Sequence, residues 1–90
     1  MRSALFKNDY DRISSWVNMN ICKYVSIENT GIVLHFLDNT AYLIVSSDCL
    51  EKVNVDSKDI LVAIMDKFWG SSDDAIIDID EIIKTLQKKE

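Results

Sequence analysis

A chain of 90 residues with 48% hydrophobic and 28% charged side chains has the make-up of one small globular domain, here taken as residues 1–90. Its net charge of −5 and ten dispersed bases argue against a nucleic-acid-binding face, which needs Lys and Arg clustered against phosphate. The longest apolar runs, Ile60 to Met65 and Ala41 to Val45, fall far short of the roughly 20 residues that span a bilayer, and Met1 to Lys7 turns polar too soon for a secretory signal. No membrane association and a cytoplasmic location are therefore expected.

In chain order, Asn8 or Asp9 reads as a helix cap, and Tyr10, Ile13, Trp16 and Val17 follow at helical spacing. This predicts an amphipathic helix from about residue 9 to 18, closing in Asn18-Met19-Asn20, with Trp16 packed against the core. From Ile21 the period changes to two: Ile21, Val25 and Ile27 alternate with Cys22, Tyr24 and Ser26, as in a half-buried strand. Glu28-Asn29-Thr30-Gly31 supplies turn chemistry, Ile32 to Leu37 a second strand, Asp38-Asn39-Thr40 a second turn and Ala41 to Ser46 a third strand. Connections this short join antiparallel neighbours, so the three form a meander. Ser47 to Val55 suits either a helical turn followed by an edge strand or one irregular strand, and a short fourth strand at Lys52 to Val55 is favoured.

Asp56-Ser57-Lys58-Asp59 opens a helix whose face carries Ile60, Leu61, Ile64, Met65 and Phe68, ending near Gly70. After it, Asp78 and Glu81 resemble a capping box, flanked by Ile77 and Ile82 at staple positions. This predicts a brief extended segment and then a helix over about 79–88, with Lys84, Lys88 and Lys89 toward its C-terminal end. The fold class is thus α+β: an N-terminal helix, a three- or four-stranded antiparallel meander, and two C-terminal helices packed on the sheet.

Motifs that carry chemistry are absent from this pattern. Two glycines leave no phosphate-cradling loop, and the serine pairs fit no nucleophile elbow. The only histidine, His35, sits mid-strand with no patterned nucleophile, so it is read as a packed or solvent-facing strand residue rather than a catalytic one. Cys22 and Cys49 are expected as reduced thiols, and neither they with His35 nor the C-terminal acids show a metal-binding spacing. No enzyme activity, cofactor or metal is expected.

Charge is the feature left over. Residues 1–46 balance four acids against four bases, whereas residues 47–90 hold eleven acids against six bases. The run from Ser71 to Glu81 contains Asp73, Asp74, Asp78, Asp80 and Glu81 and no base. These five, with Trp69 beside them, form the candidate partner-binding set, facing a basic protein. Trp69 itself suits either an interaction hot spot or a cover for the edge of the core. In size, charge and α+β make-up the chain looks like bacterial immunity proteins that neutralise nuclease toxins, and like phage-encoded inhibitors of host nucleases. That likeness implies an immunity or antitoxin-type inhibitor acting on a basic, nuclease-like toxin. The alternatives are a phage-type inhibitor of a host nuclease or defence complex, and a structural or regulatory module that self-associates as a homo-oligomer.

Overall fold

Alternation, not helical periodicity, governs the first eighteen residues. In a computed structural model, which describes residues 3–69 and 74–88, strand β1 (Ser3–Asn8) and strand β2 (Ile13–Asn18) form an antiparallel hairpin. Ala4, Phe6 and Asn8 point inward and are buried, and Val17 is buried opposite Ala4. The expected N-terminal helix is therefore absent. Its helical spacing arose because Asn8, a buried polar residue, breaks the apolar alternation where a cap would stand. The turn Asp9–Arg12 closes with Arg12 in the left-handed region at φ 57°, a conformation usually signalled by Gly or Asn.

After a 3-10 turn (Met19–Ile21), the meander follows as predicted: β3 (Cys22–Glu28), β4 (Gly31–Phe36) and β5 (Ala41–Ser46) in the order β3-β4-β5. Helix α1 (Ser47–Val53) replaces the fourth strand expected at 52–55. Ser46 caps it by accepting from the Cys49 N–H, and Asn54 ends it at φ 54°. Helix α2 (Ser57–Trp69), strand β6 (Ala75–Asp78) and helix α3 (Ile79–Lys88) complete the order. The carboxylate of Asp78 accepts from the Glu81 N–H at 3.2 Å, so the N-terminal signal read for α3 is present in the structure.

The fold is α+β, with two three-stranded sheets. One is mixed, ordered β2-β1-β6, with β6 parallel to β1; the other is the antiparallel meander. Phe6 and Ile77 from the first sheet, Ile32, Leu34, Ile44 and Val45 from the second, and Ile60, Ile64, Ile79 and Ile82 from the helices make one core. Fully burying a side chain of this size contributes about 1.5–3 kcal/mol, which is what holds so short a chain together. Among the described residues no helix is long and apolar enough to cross a membrane.

Candidate functional site

Pairing β6 onto β1 decides where the acidic segment lies. Side chains alternate along a strand, so Ala75 and Ile77 enter the core while Ile76 and Asp78 face outward. The register then aligns Ile76 with Leu5 on β1, and Leu5 with Trp16 on β2. Three apolar side chains thus form one row across the outer face of the mixed sheet. Trp16 is 59% exposed and Ile76 62% exposed, with Leu5 half-buried between them, so the row is open to solvent at both ends. Trp16 is not the core residue that its spacing suggested.

Along the same face, the next row brings Lys7 beside Asp78 and Ser14. On the other side, exposed Asp74 accepts a hydrogen bond from the Ser3 N–H at 2.8 Å, which pins it to the start of β1. The outer face therefore carries an apolar centre with carboxylates on both flanks and one lysine.

The other candidate residues separate from this row. Asp80 accepts from the Asp9 N–H through both oxygens, at 3.0 and 3.3 Å, tying α3 to the β1–β2 turn. Glu81 is exposed on the first turn of α3, at the rim of a depression of about 190 Å³ shared with Lys67 and Leu86. Asp73 lies outside the described residues, as does the side chain of Trp69, whose backbone ends α2. Asp74, Asp78 and Asp80, three of the five predicted acids, thus each accept a backbone N–H. Of these acids Asp74 is exposed and Asp78 half-buried on the outer face of the mixed sheet, where Trp16 is an exposed aromatic.

A second constellation escaped the sequence reading. On the outer face of the meander, His35 meets Tyr24, Ser26 and Glu28 of β3. The Tyr24 ring stacks on His35 at 4.5 Å between centroids and 18° between planes. Ser26 Oγ lies 3.1 Å from His35 Nε2, and the Glu28 carboxylate contacts both groups. The Ser26 hydroxyl, and then His35, hold the Glu28 carboxyl below its ordinary range. A catalytic triad needs serine on one ring nitrogen and the carboxylate on the other; here both converge on Nε2, so the carboxylate does not orient the imidazole as a base for the serine. The signal was present as the two-residue spacing of Tyr24, Ser26 and Glu28 opposite His35.

Among the described residues no group of three His, Cys, Asp or Glu side chains is placed to hold a metal ion. Both cysteines are free thiols. Burial first, and then the charges of Asp11 and Asp80, push the Cys49 thiol up to about 11, and burial likewise raises Cys22. Native Cys49 is expected to present about a hundredfold less thiolate than a free cysteine at pH 8. Mass spectrometry after alkylation should find Cys49 modified only when urea unfolds the chain; rapid native labelling would contradict its enclosure. Comparison with models of known protein families, with curated proteins and with solved structures found no match for this chain.

Proposed function

We propose that the chain is a protein-binding module of the immunity or antitoxin type, which neutralises a basic, nuclease-like protein by direct contact. The supporting observation is the row Trp16–Leu5–Ile76, exposed at Trp16 and Ile76, with Asp74 and Asp78 at its sides. An aromatic and two aliphatic side chains in register give a rigid apolar centre that costs free energy in water until covered. The carboxylates steer a basic surface onto it and set its orientation. Electrostatics of this kind acts chiefly on the association rate, whereas the apolar centre governs how long the complex lasts.

The test is co-expression with the product of the neighbouring reading frame, chosen for a basic sequence and lethality when expressed alone. Survival with the wild-type chain, a complex whose association slows with added salt, and at least a tenfold affinity loss in Trp16→Ala are expected. Asp74→Lys should slow association while leaving the circular dichroism unchanged. A neighbour bound equally well by both variants would remove this face from the interface.

A further inference from the structure

Sulfur is unevenly placed in this fold. Met19 opens the 3-10 turn and Cys22 closes it, the Cys22 N–H donating to the Met19 carbonyl. Residues i and i+3 of a 3-10 helix eclipse one another, so the thioether and the thiol leave the turn on the same side. The turn is fixed at both ends: Asn18 Oδ1 accepts from the Asn20 N–H at 3.0 Å, and the Ile21 carbonyl accepts from the Leu37 N–H at 2.8 Å. Met65 comes from α2, and all three side chains line one groove of about 380 Å³. Met19 is buried, whereas Cys22 and Met65 are half-buried, so the groove is walled by protein and still reached from solvent.

The donor set selects the ion. Thiol and thioether sulfurs are soft ligands, which suit copper(I) rather than magnesium, calcium or manganese. Among the described residues no carboxylate or imidazole lines the groove, so the oxygen and nitrogen donors that divalent ions take are missing. Charge points the same way. Val25 and Phe68 make the rest of the wall apolar, where an uncompensated charge is costly. A monovalent ion on one thiolate is neutral, whereas a divalent ion on the same sulfurs keeps a positive charge beside Lys23. Methionine is unbranched and flexible, which lets both thioethers adjust around an ion.

We propose that this groove is a copper(I) site, in which the Cys22 thiolate and the Met19 and Met65 thioethers bind the ion. Cys22 Sγ donates to the Tyr24 carbonyl at 3.7 Å, so the thiol carries its proton before the ion arrives. Binding breaks the S–H bond, forms a Cu–S bond and releases the proton to solvent, and the copper is neither oxidised nor reduced. Cys49 is enclosed in the core and takes no part. The site does not depend on what binds the outer face of the mixed sheet.

Anaerobic titration of the reduced full chain with copper(I), in competition with the chelator bathocuproine disulfonate, tests the assignment. Saturation at about one ion per chain is expected, with a sulfur-to-copper absorption band in the ultraviolet. Because a proton leaves, affinity should rise about tenfold per pH unit around neutrality. Cys22→Ser should weaken binding about a hundredfold or more, and Met19→Leu and Met65→Leu about tenfold each. The methionine changes conserve volume and keep the fold, which circular dichroism checks. Silver(I), a redox-inert probe of the same softness, should shift the εCH3 NMR signals of Met19 and Met65. Methionine signals that stay in place, or leucine variants that bind as tightly as wild type, would reduce the site to a lone thiol and overturn the proposal. Copper retained in full by Cys22→Ser would do the same, as would a chain that takes no copper from the chelator.

Discussion

Replacing Gly31 with alanine is expected to destabilise the fold by about 4 kcal/mol or more, a large part of the roughly 5–15 kcal/mol that holds a domain together. Two independent causes act at one atom. Gly31 has φ 135°, where a side chain is strained whatever space surrounds it. A Cβ there would also stand 1.9 Å from the Val45 carbonyl oxygen, a backbone atom that cannot swing aside. To relieve the overlap, β5 must move away from β4 by more than an ångström. That opens the Gly31–Ser46 and Ile32–Val45 pairs and pulls on the bond from the Ser47 N–H to the Thr30 carbonyl. Ser46 also caps α1, so the strain passes into the helix. Urea unfolding followed by circular dichroism should show Gly31→Ala largely unfolded in water, while the exposed neighbour Thr30→Ala stays close to wild type. A Gly31→Ala midpoint near that of wild type would disprove the close approach of β4 and β5.

Gly31 also shows why the meander was legible. Turn residues stood at both connections, the intervening runs alternated over six or seven residues, and the connections were too short for anything but antiparallel neighbours. Helix α3 was legible for a similar reason: Asp78, Glu81, Ile77 and Ile82 occupied mutually consistent positions around one cap. The N-terminal hairpin was not, because its information lies in tertiary contacts. Asn8 is buried where it donates to the Ile44 carbonyl of β5 and to Asp11, and Arg12 takes a left-handed turn without the usual residue. Ile13 and Trp16 then matched a helical stripe, although in a strand three residues apart means opposite faces. Pairing of β6 with β1 is likewise invisible locally, since the two segments are separated by most of the chain.

The same limit applied to the candidate site. Acidity singled out β6 and the start of α3, but composition does not tell which carboxylates serve the fold. Asp80 is joined to the β1–β2 turn and Asp78 caps its helix, whereas Asp74 and Asp78 also flank the apolar row. Trp16 joins that row only through the β1–β2 register. Its exposure could not follow from a helical assignment, in which position 16 belonged to the inner stripe.

Breaking the junction between the two sheets should produce the second large effect. Asn8 is fully buried; its Nδ2 donates to the Ile44 carbonyl and, at 2.8 Å, to Asp11 Oδ2. Asp11 in turn accepts from Ser46 N–H at 2.8 Å and Ser46 Oγ at 2.6 Å, and Ser46 Oγ accepts from Cys49 N–H. One chain of bonds therefore runs from β1 through the β1–β2 turn to β5 and the cap of α1. Asn8→Ala leaves the Ile44 carbonyl without this donor and is expected to cost about 2–4 kcal/mol, against about 1 kcal/mol for loss of the Ser46 cap alone. Asp11→Ala should cost about 2–3 kcal/mol because Ser46 N–H loses its acceptor. In the double variant, the two losses should fall short of their sum by about 1 kcal/mol, since each removes the bond the other also makes. Strict additivity in denaturant unfolding would mean that the residues do not act as one junction.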